Sequence, residues 1–145
     1  MEKSQFYNSI PFDYPRCFNQ QCPMRERCLH YQAGTSVPAD RLFGSAVYPH
    51  ALHDGQCDLF RECEPVRTAW GFGQLYNNLP RHLRAAARSR VQAYFSQGAS
   101  TYYRYHHGER KLTPRQQQDV LAIVMSYGST QEPQFDHYEQ SFDFS

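Results

Sequence analysis

The clearest apolar pattern lies in the second half of the chain, where hydrophobic residues recur every three or four positions. One such stretch follows Asn78, which can cap a helix, and Pro80, which suits a first turn, and it stops at Gly98. Another opens at Thr113 and stops at Gly128. The spacing and the flanking residues predict two amphipathic helices over these stretches.

Other segments have weaker patterns. A third apolar stripe favours a helix from Val66 to Tyr76, and a proline followed by a later glycine favours a short helix from Pro23 to Gln32. Ala46–Tyr48 is the best candidate for a short strand. In the tail, rings alternate with acids at spacings of three and four, which predicts a docked terminal helix or, alternatively, an exposed recognition peptide.

These elements predict a mainly α fold with little β structure in a single small domain. An irregular, cysteine-rich N-terminal half with a metal site is expected to pack on a helical C-terminal part. The predicted parts are an extended arm at 1–16, a cysteine-rich metal-binding part at 17–65, a helical part at 66–128 and an acidic aromatic tail at 129–145.

The composition indicates how such a core must be built. Leu, Ile and Val together number 17, whereas Phe, Tyr and Trp number 22. Large rings must therefore supply most of the buried surface, and their polar ends need partners or solvent. A chain this poor in aliphatic residues gains stability from an additional link such as a metal ion.

The charges are nearly balanced overall but unevenly placed. All 15 Lys and Arg residues occur by position 115, while residues 116–145 carry five acids. No apolar stretch reaches the roughly 20 residues of a membrane helix, and no secretory leader follows Met1. We therefore expect a cytoplasmic protein without a membrane partner, in which cysteines are thiols or metal ligands.

The five cysteines all lie between residues 17 and 63. Three are separated by four and then five residues, and after a gap of 28 residues the last two are separated by five. Structural zinc takes four nitrogen or sulfur ligands, which two separate loops can supply. The preferred ligands are Cys17, Cys22, Cys28 and Cys57, and the alternates are Cys63, His30 and His53.

A structural zinc ion is the metal that this set favours. The spacings match neither a standard zinc finger nor the plant-type iron–sulfur pattern, so a 4Fe-4S cluster in a redox or sensor protein is the alternative. The simpler explanation is a group of buried thiols without a ligand. We favour a metal because the cysteines are clustered and arginines stand beside them in the sequence.

Segment 79–111 combines cations with aromatic rings and has a net charge of +6. Cations bind phosphates and exposed rings stack on bases, so this segment is a second candidate site, for an anion or single-stranded nucleic acid. The simpler explanation is a solvated helix face beside a tyrosine-rich core. The candidate residues are Arg81, Arg84, Arg88, Tyr102, Tyr103, Arg104, Arg110 and Lys111.

Recognisable catalytic motifs do not occur in the sequence. It contains no nucleophile elbow, phosphate loop or dinucleotide-binding glycine pattern. We therefore expect a non-catalytic binding or adaptor protein, whose partner is a protein or a nucleic acid.

Short motifs along nearly the whole chain carry a family resemblance. They include CFNQQCP at 17–23, CLHY at 28–31, CDLFR at 57–61, YNNLP at 76–80 and FDHY at 135–138. In this order they resemble a family of small, uncharacterised, cysteine-containing proteins from Bacteroidales. The resemblance implies no known activity. It implies that the four preferred cysteines recur while position 63 varies, and the anaerobic habit of the group keeps the iron–sulfur alternative open.

Overall fold

The structure is a computed structural model that describes residues 3–95 and 98–145. Its contacts divide the chain after Pro65 into two units. One ends at Pro65 and also contains Phe144, and the other consists of Val66–Asp143 and Ser145.

The first unit has short elements joined by long irregular segments. Its α-helices are α1 (Lys3–Ser9) and α2 (Leu29–Thr35), and its strands β1 (Leu52–His53) and β2 (Gln56–Cys57) form an antiparallel hairpin. Single turns of 3-10 helix occur at Arg25–Arg27 and Pro49–Ala51.

Burial in the first unit centres on α2. Leu29 and Ala33 on this helix are completely buried, and the ring of Tyr14, which is 5% exposed, stacks on His30 of the same helix. Before α2, the extended backbone at Arg16 pairs in parallel with Ala46. This unit therefore has a small buried centre with extended segments around it.

The second unit combines three helices with a two-stranded sheet. Its helices are α3 (Arg84–Tyr94), α4 (Ala99–His106) and α5 (Pro114–Ser126), and α3 follows a 3-10 turn at Arg81–Leu83. Strands β3 (Val66–Trp70) and β4 (His137–Ser141) pair antiparallel, with Val66 opposite Ser141 and Trp70 opposite His137. Leu112 pairs with Ala69 on the other edge of β3.

Aromatic rings fill much of the core of the second unit. Phe72 stacks on Tyr102 at 4.6 Å between ring centroids, and Phe95 stacks on Tyr105 at 4.7 Å. The hydroxyls of Tyr76 and Tyr102 lie 3.0 Å apart, so each polar end has a partner inside the core. The sequence prediction of a ring-built core is confirmed for this unit.

Helix α5 confirms the prediction made from its flanking residues. The Thr113 hydroxyl accepts a hydrogen bond from the Gln116 amide at 3.3 Å, and the Gln116 side-chain oxygen accepts from the Thr113 amide at 3.0 Å. This is a capping box followed by Pro114 in the first turn. Gly128, at a φ of +90°, follows the end of the helix.

The prediction of a mainly α fold is wrong. About 38% of the structure is helix and 14% is strand, in five helices and two small sheets. The segment expected to be helical from Val66 becomes β3, and the tail expected to form a helix becomes β4. The physical reason is pairing between β3 and β4, which satisfies the backbone of both segments over a sequence distance that no local pattern reveals.

Several element boundaries also differ from the predictions. The helix expected to begin near Pro80 begins as a 3-10 turn and becomes α3 at Arg84, ending at Tyr94. The predicted extension of this helix over residues 96 and 97 lies outside the described residues. Helix α4 lies within the part 66–128 that was expected to be helical, whereas α1 occupies the arm that was expected to be extended. Ala46–Tyr48 contributes one bridge and no full strand.

No helix within the described ranges combines the length and apolar character that a membrane crossing requires.

Candidate metal centre

The four preferred cysteines line one cavity in the first unit. Its volume is about 20 Å³, and its wall also contains the ring of Phe60 and the guanidinium-bearing side chain of Arg25. The remaining lining residues are His30, Tyr31, Val47 and Leu59. The thiols thus stand in a largely apolar wall with one cation.

Backbone contacts on three sides hold Cys17. The amide of Cys17 donates to the carbonyl of His30 at 2.9 Å, and the preceding residue, Arg16, pairs with the strand-like segment at Ala46. A Cβ added at Gly34 would lie 2.1 Å from the Cys17 carbonyl oxygen. Helix α2 therefore approaches the Cys17 backbone so closely that only glycine fits at this position.

Cys22 and Cys28 lie at the two ends of the segment that enters α2. Both are 8% exposed. The carbonyl of Cys22 accepts hydrogen bonds from the amide of Arg25 at 3.3 Å and from its guanidinium at 3.2 Å. Cys28 is extended, precedes the first residue of α2, and pairs antiparallel with Glu62. These backbone bonds fix both thiols on the cavity wall.

Cys57 reaches the cavity from the hairpin. It lies opposite Leu52 in the β1–β2 pair, and the turn between the strands places Asp54 and Gly55 at positive φ, 51° and 75°. Two successive residues at positive φ are typical of the tight turn that matches the twist of a two-residue hairpin. The amide of Phe60 donates to the Cys57 carbonyl at 3.2 Å, which turns the chain back along the cavity.

The thiols are close enough to influence each other electrostatically. Burial raises the pKa of Cys17, and negative charge on Cys28, Cys22 and Cys57 raises it further, while a hydrogen bond with the backbone of Asn19 lowers it. The protonated form of Cys17 is thus favoured when no cation is present. A cation bound among these sulfurs would displace protons from them.

The sulfurs are not gathered into a finished coordination shell. Among the described residues, no three His, Cys, Asp or Glu side chains are arranged to hold a metal ion. This corrects the expectation of a formed metal site within the fold. The physical reason is that protonated or mutually repelling thiols have no attraction that would draw them together without a cation.

A comparison with known protein families identifies the family of this chain. The model of a family described as a family of unknown function, DUF6078, matches residues 1–144. The chain belongs to this family. The resemblance to an uncharacterised family is thereby confirmed, and no curated protein or solved structure gave a match.

The alternate ligands of this DUF6078 chain lie outside the cavity or are already hydrogen-bonded. Cys63 follows Glu62, which pairs with Cys28. Burial raises the pKa of Cys63, and the charges of Cys28 and Glu62 raise it further. His53 bonds to Asp58 at 3.0 Å and its side chain is 53% exposed. Neither residue lines the cavity.

His30 lines the cavity wall but has partners on both ring nitrogens. Its Nδ1 donates to the carbonyl of Pro15 at 2.7 Å, which leaves Nε2 as the acceptor facing the Tyr14 hydroxyl at 3.4 Å. The two rings also stack at 4.5 Å. Burial lowers the pKa of His30, so the imidazole is held neutral in this arrangement.

Arg16 is a buried residue next to the site, and its burial was not predicted from the sequence. Its side chain is 3% exposed and donates to the carbonyl of Ala33 near the end of α2. Burial lowers the pKa of this guanidinium, and the charge of Arg41 lowers it further. A cation at the carboxyl end of a helix complements the helix dipole, so Arg16 supports the helix that carries Gly34 against Cys17.

The second candidate set, from segment 79–111, contains residues that contact other parts of the second unit and residues that are exposed to solvent. Arg84 donates to the backbone carbonyls of Asn77 and Leu79. Arg88 lies 5.4 Å from the Tyr76 ring, Tyr102 is 3% exposed, and Lys111 forms an ion pair with Glu139. These four stabilise the second unit. Arg88 is nevertheless exposed, as are Arg81, Tyr103, Arg104 and Arg110.

Proposed function

We propose that the first unit binds a single zinc ion through Cys17, Cys22, Cys28 and Cys57, and that the protein is a non-catalytic binding module stabilised by that ion. The observation that carries the proposal is the common cavity on which all four thiols lie.

Ligand chemistry supports zinc. Four thiolates form the closed tetrahedral set that is typical of structural zinc sites, and such a set leaves no open position for a substrate. The role of the metal would therefore be to stabilise the fold rather than to catalyse a reaction. The binding free energy of structural zinc is on the order of 10 kcal/mol, which is comparable to the whole stability of a small domain.

The positions of the four cysteines support a stabilising role. Cys17 follows the bridge with Ala46, Cys28 precedes α2, and Cys57 belongs to the hairpin. One ion bound to all of them would connect three segments that share few buried apolar contacts. It would restrict the unfolded chain as well as stabilise the folded one.

The charge around the cavity supports a thiolate site. Four thiolates around one divalent ion carry a net charge of about −2, which needs compensation in an apolar wall. Arg25 lines the cavity and its guanidinium bonds to the Cys22 carbonyl. Arg25 is also ion-paired with Glu26 at 3.4 Å, so it would offset part of the charge on the thiolates.

The size of the cavity favours one ion over a cluster. A volume of about 20 Å³ exceeds the roughly 10–15 Å³ that one water-sized body requires, but it leaves little additional room. A 4Fe-4S cluster contains eight inorganic atoms and would require the wall to expand. A single ion requires only that the sulfurs converge from their present positions.

Metal analysis of protein purified without oxygen tests the proposal. We expect one zinc per chain in the natural protein and in Cys63→Ser, and loss of zinc in Cys17→Ser and Cys57→Ser. Cys63→Ser is the matched control because Cys63 lies outside the cavity. Stoichiometric iron with broad absorption at about 400 nm would show that the site holds an iron–sulfur cluster instead of zinc. Metal-free natural protein that takes up no added zinc would reject the site altogether.

A further inference from the structure

The last turn of α4 and the exposed turn that follows it bring rings and cations together in the second unit. We define the stacking surface as Tyr103, Arg104, His107 and Arg110. Tyr103 is 46% exposed, and the other three are also exposed. None of these residues takes part in the proposed metal site.

The two rings of the stacking surface lie one helical turn apart. The rings of Tyr103 and His107 are inclined by 24° and their centroids are 6.2 Å apart. Some stacked rings elsewhere in this unit are closer, such as Trp70 and His137 at 3.9 Å. A third flat ring between two parallel rings needs about 6.8 Å, twice the stacking distance of about 3.4 Å, so a small side-chain rotation would admit one.

Local packing fixes the turn that presents these rings. Gly108 has a φ of +80°, and a Cβ at this position would lie 2.9 Å from the Trp70 ring. His106 accepts a hydrogen bond from the Phe72 amide at 3.0 Å. The residues on both sides of His107 are thus anchored in the core, and the exposed rings stand on a defined backbone.

The same turn supplies two cations. The amide of Arg110 donates to the carbonyl of Arg104 at 3.2 Å, which brings these two residues together. Neither guanidinium forms an ion pair with any described carboxylate, whereas the neighbouring Lys111 is paired with Glu139. Glu109, which is exposed within the turn, is the nearest acid in sequence and opposes their charge.

We infer that the stacking surface binds single-stranded nucleic acid, with a base on the Tyr103 and His107 rings and the backbone phosphates on Arg104 and Arg110. Stacking accepts any base because every base has a flat aromatic face, and the phosphate contacts do not depend on sequence. Binding should therefore tolerate different sequences and weaken with salt.

Fluorescence anisotropy of labelled 12-nucleotide RNA and DNA strands tests the inference with the full chain. Tyr103→Ala should weaken binding at least about five-fold, and Tyr103→Phe should retain it. Replacing Arg104 and Arg110 by Ala should reduce the slope of log affinity against log salt by about 1.4, or about 0.7 per phosphate contact. Glu109→Gln should strengthen binding because it removes the opposing charge.

Arg90→Ala with Arg115→Ala is the charge-matched control, because both residues are exposed cations outside the stacking surface. Equal weakening by this control would overturn the inference. No binding at low salt would also overturn it. Competition by polyphosphate, together with unchanged binding by Tyr103→Ala, would indicate a general anion surface. A mononucleotide that binds as tightly as the strand would indicate a nucleotide site. Either result would reject single-strand recognition.

Discussion

The second unit buries fourteen hydrophobic residues in one cluster, whereas six are buried among the described residues of the first. Exposure shows the same contrast. Among the residues that the structure describes, eight large hydrophobic side chains are exposed and six of them belong to the first unit, including Leu42 and Phe43 at 88% each. The two parts of this DUF6078 chain must therefore obtain their stability from different sources.

The second unit is stabilised mainly by packed rings and by a capped helix against a small sheet. The first unit relies on close backbone contacts and on polar groups, such as the bond from Cys17 to His30 and the Gly34 approach to Cys17. Small units with few buried apolar residues commonly need a metal or a covalent link. In the proposed function, a zinc ion at the four cysteines would supply this link in the first unit.

Deleting a ring from the core of the second unit should have the largest effect on its stability. Phe135 is 1% exposed and packs edge-on to Phe72 at 6.0 Å. Phe135→Ala should lower the free energy of unfolding by about 3–5 kcal/mol, because it removes buried area and leaves a cavity. Urea unfolding followed by the fluorescence of Trp70, the single tryptophan, measures this change.

Met125→Ala is the matched control in the same unit, since the Met125 side chain is 47% exposed. Its effect should stay within about 0.5 kcal/mol. Comparable losses for the two variants would show that the ring cluster is not the main source of stability in the second unit.

A smaller loss is expected from Gly34→Ala in the first unit. Alanine ordinarily stabilises a helix relative to glycine, but here its Cβ would meet the Cys17 carbonyl oxygen at 2.1 Å. We expect a loss of about 1–3 kcal/mol, as for other overpacked sites. Hydrogen exchange at the Leu29 amide, which donates to the Arg61 carbonyl at 2.7 Å, reports the local stability.

Thr35→Ala on the same helix is the control because Thr35 is exposed. If Gly34→Ala slows exchange at Leu29 or matches Thr35→Ala, the close approach of α2 to Cys17 does not matter for stability.

The smallest effect concerns the start of α5. Thr113→Ala should destabilise the second unit by about 1 kcal/mol through loss of the capping hydrogen bond, and Thr113→Ser should retain most of that stability. Gln118→Ala, at an exposed position within the helix, should change little. Urea unfolding of the three variants distinguishes a capping contribution from a general effect of substitution. Identical unfolding curves for all three would show that the cap does not contribute to stability.

Local signals were sufficient to predict α5. Its cap at Thr113, its first-turn Pro114 and its terminal Gly128 all lie within the segment itself. Strands β3 and β4 were missed because each depends on the other across more than 60 residues, and the same apolar positions fit a helix when taken alone.

The candidate site was predictable in part. The four preferred cysteines line one cavity, and their binding of a metal stays a prediction. Cys63 lies outside the cavity, next to the Glu62 that pairs with Cys28, and His30 is held by its hydrogen bond to Pro15 and its stack on Tyr14. Both depend on tertiary contacts that spacing along the chain does not encode.

Amide hydrogen exchange with and without zinc tests the central claim most directly. The reporters are the amides of Cys17, Leu29 and Cys63, whose hydrogen bonds cross between segments of the first unit. We predict that zinc slows exchange at these three amides by ten-fold or more, because a zinc concentration modestly above the dissociation constant stabilises the folded unit by that factor. Exchange at the amides of α5 should change far less. Unchanged exchange at all three amides with zinc in excess would contradict the central claim.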